Sequence, residues 1–161
     1  TTRDVLVIAT DATVESHVYA AACAERHMRA IAKACPLLVP LVEEGWTPHT
    51  VTEEVVRIYM GELMEQAERE GMNADTLVLA CTHYPLLRAT IERAVPREVR
   101  VIDSAEVTAQ QVATRLEDSI RSAGEPQVEF FATDSVAKFR DLGTRVLGQT
   151  IAAVRLVDLG G

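Results

Sequence analysis

Short runs rich in branched apolar residues, at 5–9, 37–39, 76–80 and 99–102, alternate with longer segments whose apolar residues recur at helical spacing. Strands buried on both faces read as continuous apolar runs, and such runs separated by helices predict βαβ units around a parallel sheet, an α/β fold. After Thr50 the apolar positions Val51, Val55, Ile58, Tyr59 and Leu63 mark a sheet-covering helix, with Thr50-Val51-Thr52-Glu53 as a capping box and Gly71 as its C-terminal stop. A second helix is predicted over 85–94, opened by Pro85 at a position where its missing N–H costs nothing. Beyond Asp103, Ala109, Val112, Ala113, Leu116 and Ile120 mark an amphipathic helix, followed by a turn at Gly124-Glu125-Pro126. A short strand at 128–132, a helix at 135–147 and a terminal strand at 152–157 complete the reading. The domain boundary is placed near Asp103, giving segments 1–103 and 104–161. The first apolar run begins almost at once after Thr1, as though the chain were cut just before a core strand, and a fragment is expected.

Composition narrows the function classes. A chain of 161 residues, 48% apolar and 25% charged, can bury roughly 70% of its extended surface, which excludes general disorder. With 16 Lys+Arg against 24 Asp+Glu and no basic block, nucleic acid is excluded as a partner. The apolar stretch at 35–42 holds Pro36 and Pro40 and falls far short of the roughly 20 residues of a membrane span. The cysteines Cys23, Cys35 and Cys81 are odd in number and lack metal-type spacing, so neither a disulfide framework nor a metal site is expected, and a reducing, cytoplasmic setting fits. No glycine-rich phosphate loop or dinucleotide fingerprint occurs, and no organic cofactor is expected.

Cys81-Thr82-His83-Tyr84-Pro85 lies where a buried strand gives way to a helix, the edge at which open α/β sheets bind ligands. A helix N-terminus and a nearby imidazolium favour a thiolate there, and the Thr82 hydroxyl with free backbone N–H groups offers an anion cradle. The competing reading makes Cys81 a small buried strand residue and His83 a helix cap. Glu43 and Glu44 fall just past the predicted 37–39 strand, on the same rim. A carboxylate beside a His–Cys pair would hold the imidazole in one tautomer; otherwise the two form a solvated acidic loop. Thr10 and Thr13 occupy the equivalent place after the first strand, either binding an anionic substrate or capping the helix that follows. Cys23, within a helix, and Cys35, at the opening of a strand, are read as structural, and His17, His27 and His49 have no partner at ligand spacing.

The stretch Leu79-Ala80-Cys81-Thr82-His83-Tyr84-Pro85-Leu86-Leu87 closely resembles the second catalytic-cysteine motif of the bacterial glutamate racemases. Further blocks resemble that family in the same order: Val7-Ile8-Ala9-Thr10 with Ala12-Thr13-Val14 and Ser16, residues Ala34-Cys35-Pro36-Leu37-Leu38-Val39-Pro40-Leu41-Val42-Glu43, Asp103-Ser104 with Thr108-Ala109, and Phe130-Phe131-Ala132-Thr133-Asp134 with Phe139. The resemblance implies a cofactor-independent enzyme with two α/β domains facing across the site, one cysteine from each, commonly dimeric, supplying D-glutamate for peptidoglycan. In that scheme Cys81 is one acid/base, His83 assists it, Glu43 is the acidic residue near the pair, and Thr82, Thr10 and Thr13 bind substrate. The family's upstream Asp-Ser-Gly loop and its first Ala-Cys-Asn-Thr-like motif are not in this sequence, and neither Cys23 nor Cys35 is followed by Asn-Thr. The expectation is therefore a second domain at 1–103, a C-terminal part of the first domain at 104–161 that is less stable or needs another chain, and little activity by itself. Two other readings stay open: a non-catalytic anion-binding or regulatory module, and an unrelated thiol hydrolase with a Cys81–His83 dyad. The last is weakened because residues two apart need not bring their side chains together.

Overall fold

The Asp-Val-Leu-Val-Ile-Ala run forms β1 (Asp4–Ala9), and all six of its residues are buried, so both faces and both edges of this strand are covered. In the computed structural model, which describes residues 2–116 and 127–160, the chain continues through α1 (Asp11–Glu15), α2 (Val18–Ala24), β2 (Arg29–Ala34), α3 (Leu38–Glu43) and α4 (Thr50–Arg69). It then forms β3 (Thr76–Leu79), a 3₁₀ turn at Tyr84–Leu87 running into α5 (Arg88–Ala94), β4 (Arg100–Asp103) and α6 (Ser104–Leu116). The strands are parallel in the order β2-β1-β3-β4, with Val7 paired to Ala32 on one side and to Val78 on the other. From β1 the chain steps to one edge for β2, then crosses back to place β3 on the opposite side. That reversal makes the gap between the C-terminal ends of β1 and β3 the topological switch point, where sheets of this kind open a crevice. Right-handed crossovers put α1 and α2 on one face and α4 and α5 on the other.

The core lies between the sheet and α4–α5. Leu6, Ile8, Leu77 and Leu79 meet Val56, Met60, Leu63 and Ile91, all essentially without solvent exposure, and each such side chain contributes about 1.5–3 kcal/mol through burial. The end of α4 shows how its stop is built: Gly71 takes a left-handed φ of 60°, the Gly71 N–H donates to the Glu68 carbonyl and the Met72 N–H to that of Ala67, the pairing of a Schellman motif. Its start departs from the predicted box by one residue. His49 is the N-cap, its Nδ1 accepting from the Val51 N–H at 3.1 Å, while the Thr52 hydroxyl donates to the Trp46 carbonyl at 2.6 Å.

The strand predicted at 37–39 is not a strand. Leu38 and Val42, four apart, are the buried positions of a helix, α3, and Pro40 sits in its first turn, where a missing N–H is harmless. The edge strand is instead Arg29–Ala34, whose only buried residue is Ile31; an edge strand of alanines and cations carries almost no apolar signal. Cys35 consequently follows a strand rather than opening one, its N–H donating to the Ala9 carbonyl at 2.9 Å. The helix predicted over 85–94 begins as the 3₁₀ turn and becomes α-helical only at Arg88.

The chain divides into two compact units, Thr1–Leu116 and Glu117–Gly161. In the second, β5 (Phe131–Ala132) and β6 (Arg155–Leu156) form a short parallel pair, with α7 (Val136–Leu147) between them. Both strands are shorter than the predicted 128–132 and 152–157. At Gly143 the chain packs closely: a Cβ there would lie 2.6 Å from Cδ1 of Ile151, whose side-chain tip would have to shift. The predicted position of Ile120 and the turn at 124–126 lie outside the described residues.

Candidate active site

Two loops flank the switch point. After β1 the chain passes through Thr10 into α1, and after β3 it passes through Ala80 into Cys81-Thr82-His83. The Ala80 N–H donates to the Ile8 carbonyl at 2.9 Å, so the sheet pairing persists to the threshold of both loops. Beyond it a tight turn forms, closed by the Tyr84 N–H donating to the Cys81 carbonyl at 3.2 Å. The turn brings together two side chains that a straight strand would separate: Cys81 Sγ lies 3.9 Å from His83 Nδ1. The Thr82 hydroxyl is 3.4 Å from the same nitrogen.

Glu43 reaches this turn from the last residue of α3, its Oε1 3.3 Å from His83 Nε2, with the two side chains 27% and 22% exposed. That shielding lets the charge act more strongly than on an open surface. Nε2 is buried and has no aligned hydrogen-bond partner, so the contact is at ion-pair distance, and a small rotation of either group completes it. A carboxylate at Nε2 selects the tautomer protonated there, which leaves Nδ1 to accept a proton from the Cys81 thiol. Sulfur, imidazole and carboxylate thus form one chain of three groups, able to accept and return a proton at Sγ. The placement of Glu43 on a helix, rather than just past a strand, is what gives the carboxylate its reach. Glu44 follows as the exposed C-cap.

Thr10 and Thr13 meet each other, their hydroxyl oxygens 3.0 Å apart. Thr10 is the N-cap of α1 by backbone position, yet its side chain makes no capping bond. The capping role weighed for it is therefore not taken up, and the two hydroxyls form a polar pair at the end of β1, the strand paired with the one that leads to Cys81.

The other cysteines are differently placed. Cys35 is fully buried, and burial pushes its thiol up to about 12, which keeps it neutral. Cys23 lines a groove with Thr2, Arg3, Thr76 and Arg100, at the N-terminal ends of the strands and so at the end of the sheet opposite Cys81; burial raises its thiol also. Among the described residues no group of three or more His, Cys, Asp or Glu is arranged to hold a metal ion, and no helix is long and apolar enough to cross a membrane.

Two residues near this edge carry no sequence signal of their own. Arg88 gathers Asp103 at 3.0 Å, Glu106 at 3.2 Å, Glu92 at 2.9 Å and the Val101 carbonyl at 2.9 Å, joining the start of α5 to the end of β4 and the start of α6. Tyr84 is fully buried, its hydroxyl donating toward the Ala9 and Cys35 carbonyls. Arginines beside acids are common on any surface and a tyrosine before a proline suggests only a turn, so neither stands out before the fold brings the partners together.

The sequence and the parallel α/β fold match a known family. Residues 1–112 fit the model of the Asp/Glu/Hydantoin racemases, and the chain belongs to that family. Within it the similarity is to glutamate racemases. The glutamate racemase of Koribacter versatilis (strain Ellin345) is 44% identical over 184 residues, covering 99% of this chain and 62% of that protein. The crystal structure of a glutamate racemase isoform from Bacillus anthracis superposes with a TM-score of 0.83 at 33% identity, over 98% of this chain and 58% of that one. The glutamate racemase of Francisella tularensis subsp. tularensis SCHU S4, solved in complex with D-glutamate, gives a TM-score of 0.83 at 26% identity, over 99% and 59%. The chain thus spans about three fifths of the length of these relatives.

Proposed function

We propose that this chain is the Cys81-bearing portion of a glutamate racemase that interconverts L- and D-glutamate through two acid/base groups. Racemisation without a cofactor requires a proton to leave the α-carbon from one face and another to arrive from the opposite face. In one direction the Cys81 thiolate takes the α-proton and becomes a thiol, while a group on the opposite face gives its proton to the planar, carbanion-like centre. In the other direction the roles exchange. His83 receives and returns the proton at Sγ through Nδ1, and Glu43 holds the imidazole in that tautomer. The hydroxyls of Thr82, Thr10 and Thr13 bind substrate and stabilise the developing charge. Cys35 is a buried neutral thiol and Cys23 lies at the other end of the sheet, so the opposing group belongs to a segment beyond this sequence, consistent with the share of the relatives' length that the chain spans. In the same reading 1–103 form the second domain and 104–161 complete the first. The whole enzyme is cytoplasmic, works as a homodimer, and supplies D-glutamate for peptidoglycan.

The observation that carries the proposal is the Cys81–His83–Glu43 chain at the switch point. Thiol mapping tests it: in the full gene product iodoacetamide should modify Cys81 faster than Cys23 or Cys35, and excess glutamate should slow that reaction selectively. Equal reactivity of Cys81 and buried Cys35, or no protection by either enantiomer, would contradict it.

A further inference from the structure

The proton chain described above makes no use of the Tyr84 phenol, although that phenol lies where three site-bearing segments meet. Its single hydroxyl proton faces two carbonyls, that of Ala9 at 2.9 Å and that of Cys35 at 3.1 Å. Burial pushes its ionisation well above the ordinary range, so it remains a donor shared in a three-centre bond. Both carbonyls already receive a backbone amide, Ala9 from the Cys35 N–H at 2.9 Å and Cys35 from the Leu38 N–H at 3.2 Å. The hydroxyl is therefore not needed to satisfy them. What it adds is a link between the turn after β3 and the ends of β1 and β2. From Ala9 the chain runs directly into Thr10; from Cys35 it runs through α3 to Glu43; and His83 is the residue before Tyr84.

We infer that Tyr84 is a positioning residue: its hydroxyl registers the Cys81–His83 turn against the ends of β1 and β2, and so sets His83 at its distance from Glu43. The inference rests on the proton chain proposed above. A packing role alone would need only the ring, which phenylalanine supplies, whereas registration needs the oxygen.

The test crosses Tyr84→Phe with Glu43→Gln in the full gene product, reading the His83 ring-nitrogen chemical shifts and the alkylation rate of Cys81. Glu43→Gln alone should move the ring nitrogens toward an unconstrained imidazole and slow alkylation. Tyr84→Phe alone should do the same, slowing alkylation roughly tenfold, the scale of one lost hydrogen bond. Adding Glu43→Gln to Tyr84→Phe should then change little, because the two act through one contact. If Tyr84→Phe leaves both readouts at wild type while Glu43→Gln alters them, positioning by the hydroxyl is overturned and the proton chain stands. If Glu43→Gln itself alters neither, the proton chain fails and the inference falls with it. Should Tyr84→Phe not fold, the unmodified protein decides: a slowly exchanging Tyr84 hydroxyl proton with a cross-peak to the Cys35 amide supports the inference, and a rapidly exchanging one overturns it.

Discussion

His83 touches a thiol with one ring nitrogen and faces a carboxylate with the other, the two-sided placement on which the acid/base role proposed for Cys81 rests. The sequence singled out these residue types because Cys-Thr-His past an apolar run sets a thiol, a hydroxyl and an imidazole at a strand end, and by itself it left a structural thiol and a helix-capping histidine open. Their contact was not, since it depends on the turn closed between Cys81 and Tyr84, which the pattern does not dictate. Another acidic residue serves stability instead. The Asp4 carboxylate receives two bonds from the Arg29 guanidinium at 2.8 Å each and one from the Asn73 N–H at 2.7 Å, and these hold it below the usual carboxylate range, the arginine most of all. A group depressed in the folded state stabilises the fold above its unfolded value and loses that contribution as pH falls through the folded one. The urea midpoint should therefore drop as pH falls below the ordinary aspartate value of about 3.9, and Asp4→Asn should be less stable than wild type at neutral pH and flatten this slope. An unchanged slope in the variant would remove Asp4 from the account.

At the scale of elements, the strands with strong apolar runs were the readable ones: β1, β3 and β4 fall within a residue or two of the predicted spans. The edge strand β2 was missed because one edge and much of its surface are free of the core, so Arg29, Ala30, Ala32 and Lys33 suffice there. The error displaced Glu43 from a helix to a loop, showing how one misread apolar run, Leu38-Val39-Pro40-Leu41-Val42, changes the geometry inferred for a site. The existence of the long α4 was legible but its buried face was not: of Val51, Val55, Ile58, Tyr59 and Leu63, read as its sheet-facing stripe, Val51 and Ile58 are exposed and only Leu63 is buried. The covered face is Thr52, Val56, Met60, Leu63 and Ala67, and the cap is an imidazole rather than the predicted threonine. Met60 and Leu63 of that helix are buried against the sheet, and Leu63→Ala should cost about 2–5 kcal/mol by chemical denaturation, the range for truncating a core leucine. A loss under about 1 kcal/mol would mean that α4 does not form the core assigned to it.

For the whole molecule, Cys81 is proposed as one acid/base group of a racemase whose opposing group lies outside this sequence. Glutamate racemases extend well past the portion this chain matches, and neither Cys23 nor Cys35 is placed to face Cys81 across a substrate. Exchange and inversion at the α-carbon separate the two halves of that chemistry. The decisive measurement is α-proton exchange of L- and D-glutamate in deuterated water, with optical rotation followed in parallel, for the full gene product, its Cys81→Ala variant and the 161-residue chain alone. Exchange and racemisation are expected of the full product, loss of racemisation in Cys81→Ala, and neither activity in the isolated chain. Full racemisation by the isolated chain, or unimpaired racemisation by Cys81→Ala, would contradict the proposal.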